Sequence, residues 1–280
     1  MSTILIADSG ATKCTWCLLH NGKKKTIDTQ GISPYYSTKQ ELLHIVSAEL
    51  FPLLKKTAPT HVYFYGTGCS NTENVNLIKD VIRTGFPKAN ISVDHDLIAA
   101  ARALCGKGKG IACILGTGTN SCYYDGKKII HNVPGLGYVL GDEGSGAYLG
   151  KKVLQYYFYN TFDEELMHRF KKQFSVSSEE VMDHVYRKSA PSRYLASFAL
   201  FLAENRGHYM IENIIEDGLN DFFFQHLCKY QESWKYPIHF VGSIAHGFKD
   251  VLQDLCNSYE FTLGNVLKNP IEGLIKYHQK

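Results

Sequence analysis

The chain has 280 residues, of which 44% are apolar and 20% charged, with a formal net charge of +3. That length fits two domains of about 100–200 residues each, and the mix excludes a disordered chain. The charge is too small and too scattered to argue for a nucleic acid or membrane partner.

The longest nearly apolar stretch, Tyr194 to Ala203, is too short to span a bilayer. No basic-then-apolar signal stands at the N-terminus, because Asp8 and Lys13 interrupt the apolar run. The 8 cysteines are scattered, which reads as reduced thiols in a cytoplasmic protein.

In chain order, Ile4–Ala7 is a short apolar run with β-branched residues and predicts a buried strand. It ends in the small-residue turn Asp8-Ser9-Gly10-Ala11-Thr12-Lys13. A second strand, Cys14 to Leu19, closes at Asn21-Gly22, a hairpin signal because a type I′ turn needs positive φ at both central residues. Lys39 to Leu54 reads as an amphipathic helix ending near Pro52. Val62–Tyr65 is a strand followed by Gly66-Thr67-Gly68, and Thr72–Thr84 is helical. Ile91–Val93 leads to Asp94-His95-Asp96, and Leu97–Leu104 is an Ala-rich helix stopped by Gly106. Lys107-Gly108-Lys109-Gly110 is a flexible joint and marks the domain boundary.

The opening grammar then recurs. Ile111–Leu115 predicts a buried strand, Gly116-Thr117-Gly118-Thr119-Asn120 a hydroxyl-rich turn, Ser121–Tyr124 a strand, and Asp125-Gly126 a hairpin turn. The repetition suggests two similar domains. After Gly150, five helices are predicted over 151–158, 164–174, 178–188, 194–205 and 208–230. A last unit has a strand at Ile238–Val241, the turn Gly242-Ser243, a helix over Ala245–Cys256, and a final helix, Ile271–His278, opened by Asn269-Pro270. Strands alternating with helices predict an α/β fold with a mostly parallel core.

Several segments could carry chemistry. The two Gly/Thr turns can aim backbone N–H groups and hydroxyls at phosphate oxygens, since glycine permits close approach. Neither is a Walker P-loop or opens a helix as a Rossmann motif does. Asp8, where a buried strand meets its turn, can hold Mg²⁺ through water or bond its own backbone. Lys13 can offset phosphate charge or end a strand in solvent. Asp94 and Asp96 sit between strand and helix; either can cap the helix or act as a general base, and position alone does not choose. The dense cluster Gly135-Leu136-Gly137 and Gly141-Asp142-Glu143-Gly144-Ser145-Gly146 permits close ligand approach. Its Asp142 and Glu143 supply acceptors for sugar-like hydroxyls, and Asp142 or Ser145 can equally cap the following helix. Cys14-x-x-Cys17 has an odd separation that sends its thiols to opposite strand faces, so it reads as structural rather than metal-binding.

The ordered set Asp8–Lys13, Gly116–Ser121, Gly141–Gly146 and Val241–Ser243 resembles the BadF/BadG/BcrA/BcrD ATPase family. Within it the chain is similar to the N-acetylglucosamine kinase branch of the actin/hexokinase/Hsp70 superfamily. The resemblance runs end to end, through Asn269–Gly273. It implies an α/β fold of two ribonuclease-H-like domains with ATP and Mg²⁺ in an interdomain cleft. The N-terminal domain would span 1–108 with the 270–280 helix packed back on it; the C-terminal domain would span 109–269 with a helical insertion.

The resemblance places Asp8 toward Mg²⁺ through water, and Gly10, Thr12 and Lys13 on phosphate. It places Gly116, Thr117 and Gly118 on ATP, and Gly242 and Ser243 on adenosine. Thr119, Asn120, Gly135, Gly137 and Asp142 match positions that face the amino sugar, and Asp96 matches the catalytic aspartate. Leu136 stands where some amino-sugar kinases carry Trp, and Tyr35 and Tyr36 stand where those kinases place a sugar-contacting Asn and its neighbour. The implied activity is ATP-dependent phosphorylation of an amino sugar, N-acetylglucosamine at its 6-hydroxyl, in a cytoplasmic enzyme that forms homodimers. The alternatives are N-acetylmuramate or glucosamine as substrate, or a BadF-type ATPase activator without a sugar. That activator uses cysteines in a Gly-rich context that this chain lacks.

Overall fold

The computed structural model describes residues 3–10, 13–35, 37–54 and 57–279. The chain divides into two units, Met1–Lys107 with Pro270–Lys280, and Gly108–Asn269.

Unit 1 is built on a five-stranded sheet of β1 (Ile4–Ser9), β2 (Lys13–His20), β3 (Lys23–Gln30), β4 (His61–Gly66) and β5 (Asn90–His95), in the order β3-β2-β1-β4-β5. β1 to β3 form an antiparallel meander. Its β2–β3 turn puts Asn21 at φ 49° and Gly22 at φ 72°, the type I′ geometry that Asn-Gly favours. β4 and β5 join parallel to β1 and need crossovers, which are helical. The first crossover runs as α-helix over Lys39–Ile45, π-helix over Val46–Leu50 and α-helix over Phe51–Leu54, so Pro52 falls in its last turn. Thr38 and Glu41 form a capping box at its start. Cys14, Trp16 and Leu18 share one core with Leu5, Val62 and Phe64, whereas the buried Cys17 faces the other side. Each such buried aliphatic or aromatic side chain contributes about 1.5–3 kcal/mol.

Unit 2 repeats this wiring with β6 (Gly110–Leu115), β7 (Thr119–Tyr124), β8 (Ile129–Val133), β9 (Ile238–Val241) and β10 (Leu263–Leu267), in the order β10-β9-β6-β7-β8. Again three strands form a meander and two are parallel. The β7–β8 turn differs from the Asn-Gly type. It spans Asp125–Lys128, because the Asp125 carboxylate accepts from the Lys127 and Lys128 amides, both at 2.8 Å.

The helix-rich stretch is an enlarged β8-to-β9 crossover. It includes helices Gly146–Phe158, Glu164–Gln173, Ser178–Tyr186 and Tyr209–Gln225, capped by Ser145, Asp163, Ser177 and His208. The segment read as one helix over 194–205 is two, Pro191–Ser197 and Leu200–Glu204. It tightens to i→i+3 bonds at Phe198 and Ala199, where it crosses Gly150; a Cβ on Gly150 would lie 1.9 Å from the Leu195 carbonyl oxygen. The segment read as a helix over 245–256 is likewise split, into Ser243–Gly247 and Lys249–Ser258. Among the described residues no helix is long and apolar enough to cross a membrane.

Candidate active site

In unit 1, the carboxyl ends of parallel strands β1, β4 and β5 bring together Asp8, Thr67 and Asp96. This is the edge where open α/β sheets carry their sites. Asp8 pairs in register with Tyr65, and Tyr65 with Asp94. Asp96 opens the helix Asp96–Cys105, whose positive N-terminal end favours a carboxylate. The Thr67 hydroxyl donates to Asp96 Oδ2 at 2.9 Å. The Thr67 amide donates to the Ser9 carbonyl at 3.0 Å, and its carbonyl accepts from Ser33 Oγ at 3.3 Å. Thr67 thus ties the Asp8 turn to the Asp96 helix, although the sequence reading assigned it no role. The internal repeat carries a signal for it: Gly66-Thr67 ends β4 as Gly242-Ser243 ends β9.

Burial and the neighbouring Asp96 carboxylate push Asp8 up to about 7. Asp8 and Asp96 together offer a hard oxygen set, which suits Mg²⁺. Among the described residues no three His, Cys, Asp or Glu side chains converge. A cation held by one or two carboxylates and several waters matches that arrangement.

The same strand ends distinguish the two candidate aspartates. Asp94 is taken: Arg102 Nη1 lies 2.7 Å from its Oδ2 and also donates to Tyr65 Oη at 2.9 Å. Tyr65 Oη in turn meets His278 Nε2 at 2.8 Å, and the His278 ring stacks on Tyr63 at 3.7 Å. The helix Ile271–His278 therefore packs on the Asp96 helix, closely enough that a Cβ on Gly273 would lie 2.3 Å from the Ala103 carbonyl oxygen.

Lys13 does not face the turn that precedes it. Its ammonium pairs with Asp28 of β3 at 2.9 Å, with both side chains more than half exposed. Gly10 is exposed, and its amide closes the turn onto the Lys13 carbonyl at 3.0 Å. Thr12 and Tyr36 lie outside the described residues; Tyr35 is exposed and packs on Gly68.

In unit 2, the Gly116–Gly118 turn docks on the start of helix Gly146–Phe158. The Gly146 and Ala147 amides donate to the Gly116 and Thr117 carbonyls at 2.8 and 3.1 Å. The first helical amides are thereby satisfied by the turn, which they hold in place. Gly242 has φ 132°, and a Cβ there would lie 2.1 Å from the Leu115 carbonyl oxygen, so the end of β6 leaves room only for glycine just after β9. The side chains of Thr117 and Ser243 stand exposed beside it.

Asp142 sits at φ 57°. From there its Oδ1 accepts from the Thr119 amide at 3.2 Å. The carboxylate fills the space over Gly118, and the Thr119 carbonyl fills that over Gly135; Cβ atoms there would lie at 2.9 and 2.5 Å. Burial and Glu143 raise Asp142 against the pull of that amide and of Lys151. The Thr119 hydroxyl is buried and, among the described residues, has no hydrogen-bond partner. Asn120 Oδ1 accepts from the Ser121 amide and from Asn132 Nδ2, both at 2.9 Å. Gly137, at φ 75°, and Leu136 are exposed. The side chains of unit 2 thus bring Thr119, Gly118, Gly135 and Asp142 into one cluster.

No family model matches the chain. An N-acetylmuramic acid/N-acetylglucosamine kinase of Clostridium acetobutylicum is 26% identical over a 204-residue alignment that covers 67% of this chain. The match spans 65% of that relative, just under two thirds of its length. The crystal structure of a candidate N-acetylglucosamine kinase from Porphyromonas gingivalis is 38% identical with a TM-score of 0.94, covering 98% of each chain. A ROK family glucokinase from Streptomyces griseus, solved with glucose and the ATP analogue AMPPNP, shares the fold at 14% identity. Its TM-score is 0.58, over 99% of this chain and 98% of that one.

Proposed function

The chain belongs to the N-acetylglucosamine kinase-like proteins of the actin/hexokinase fold, and from that premise we propose that it is an ATP-dependent amino-sugar kinase of the BadF/BadG/BcrA/BcrD family. Its substrate is N-acetylglucosamine, phosphorylated at the 6-hydroxyl. The name of the Clostridium relative favours N-acetylmuramate as the second substrate to test.

The observation that carries this reading is the Asp8–Thr67–Asp96 cluster. Asp96 is the general base. Thr67 holds one of its oxygens, and the other is left to take the proton of the sugar hydroxyl. That hydroxyl oxygen then attacks the γ-phosphoryl group of ATP in line, so the P–O bond to ADP breaks as the bond to the sugar forms. Asp94 is held by Arg102, which favours Asp96 for that role. Asp8 is the residue that would hold Mg²⁺ through water; the ion supplies charge neutralisation at the phosphates when bound. By the resemblance, Gly10, Thr12, Gly116, Thr117 and Gly118 are assigned to phosphate, and Gly242 and Ser243 to adenosine. Thr119, Asn120, Gly135, Gly137 and Asp142 face the sugar, where the unpartnered Thr119 hydroxyl would meet a ring hydroxyl. Lys13 is assigned to the β2–β3 ion pair instead.

The test is ADP release with ATP and Mg²⁺ against N-acetylglucosamine, N-acetylmuramate, glucosamine, N-acetylmannosamine, glucose and no sugar. Release that depends on an amino sugar supports the reading; release without sugar, or none, refutes it. Asp96→Asn lowers kcat by at least about a hundredfold while ATP still binds. Near-normal turnover in that variant removes Asp96 from the mechanism.

A further inference from the structure

Glu143 follows Asp142 on the Gly141–Gly146 loop, and its carboxylate is anchored from within unit 2. His226 Nε2 lies 3.5 Å from Glu143 Oε2. The His226 ring is buried and stacks on Phe222, with centroids 4.7 Å apart. Its Nδ1 is 3.1 Å from Ser121 Oγ, which is 2.8 Å from Tyr230 Oη. Tyr230 Oη accepts from the Val133 amide at 2.7 Å. Ser121 is fully buried.

The proton directions along this chain are determined from its carboxylate end. A carboxylate oxygen accepts, so Nε2 carries the ring proton. Burial moves the imidazole below the ordinary histidine range, which leaves Nδ1 as an acceptor. The Ser121 hydroxyl therefore donates to Nδ1, and the Tyr230 phenol donates to Ser121. The phenol oxygen is then free to accept from Val133, as its geometry indicates. Each group has one role, so the chain holds Glu143 in one orientation.

We propose that Glu143 is a specificity-determining residue that accepts a sugar hydroxyl, and that His226 positions it through the buried Ser121–Tyr230–Val133 chain. This rests on the amino-sugar kinase reading. Oε2 faces His226, and the Glu143 side chain keeps 21% of its surface exposed. The neighbouring Asp142 and the unpartnered Thr119 hydroxyl supply two more polar groups of the same cluster. A hydroxyl that donates to a fixed carboxylate is read with more discrimination than one that meets a mobile side chain.

The test uses the full chain, unaltered and as Glu143→Gln, His226→Phe and His226→Gln, with melting temperatures as a control. Binding of N-acetylglucosamine and its 3-deoxy and 4-deoxy analogues is measured by calorimetry, and KM for sugar and for ATP by ADP release. Glu143→Gln and His226→Phe weaken sugar binding about ten- to a hundredfold and move the KM for ATP by less than about twofold. His226→Gln keeps a donor near the Nε2 position and restores most of the affinity. One deoxy analogue binds the unaltered protein and Glu143→Gln equally, because the hydroxyl that Glu143 reads is missing. Unchanged sugar binding in Glu143→Gln, or an equal loss for the sugar and both analogues, overturns the proposal while the kinase reading stands. If His226→Phe does not fold, Glu143→Gln with the analogues decides. An unaltered protein that neither binds nor phosphorylates any sugar overturns both.

Discussion

Replacing Asp8 by Asn should stabilise the protein and remove its activity, and the size of the stabilisation should depend on pH. The Asp8 carboxyl is held at about 7, against 3.8 for an unperturbed aspartate, first by burial and then by Asp96. Its folded-state pKa is raised, so the folded chain binds the proton more tightly than the unfolded chain. Stability is fully present below about pH 4 and is lost as pH rises to about 7. Each tenfold gain in proton affinity is worth about 1.4 kcal/mol, so the total comes to about 4 kcal/mol. Asparagine mimics the neutral acid and has no such dependence. Urea unfolding from pH 4 to 8 in EDTA should therefore show the variant's advantage growing from below about 1 to about 4 kcal/mol. Adding Mg²⁺ at pH 8 should narrow the gap, because the ion stabilises only the carboxylate form. An advantage that is constant with pH, or that shrinks as pH rises, refutes the argument.

Two further outcomes are expected. Gly273→Ala gains about 1 kcal/mol of helix propensity but places a Cβ 2.3 Å from the Ala103 carbonyl oxygen. The overlap costs about 1–3 kcal/mol, so urea denaturation should show a net loss of stability and not a gain. His278 has the opposite pH sign to Asp8. Burial and then Arg102 lower its imidazole from 6.5 to about 4, so stability is present above about pH 6.5 and is lost as pH falls toward 4. His278→Asn should flatten the acid limb by about 2–3 kcal/mol when unfolding is compared at pH 4 and 7.

Much of the architecture was legible because it follows local rules. Asn21-Gly22 specified its turn, Ser145, Ser177 and Asp163 cap helices as their residue types prefer, and the doubled Gly/Thr turn announced the doubled sheet. β10 was not legible. Gly264 and Asn265 interrupt its apolar run, and both answer to the distant His239. A Cβ on Gly264 would lie 2.3 Å from the His239 ring, and the Asn265 amide donates to its Nδ1 at 2.9 Å. The Asp125-Gly126 turn was legible as a hairpin, but its length was not, because the Asp125 side chain helps to set it. At the site, Asp8, Asp94 and Asp96 stood out as carboxylates at strand ends, but the pairing of Asp94 with Arg102 was not legible from position alone. His226 pairs with a serine 105 residues away, and no local pattern encodes that.

The C-terminal helix is the last part of the first unit to be synthesised. Residues 108–269 leave the ribosome as one uninterrupted stretch that already contains every strand of its sheet. The first unit, made earlier, also has every strand within residues 4–95, and residues 271–278 add the contacts beside Ala103 and of His278 with Tyr63 and Tyr65. Domains generally fold as units as they emerge. A nascent chain stalled before residue 270 would therefore hold every strand of both sheets, while the first unit would lack the helix that packs beside Ala103.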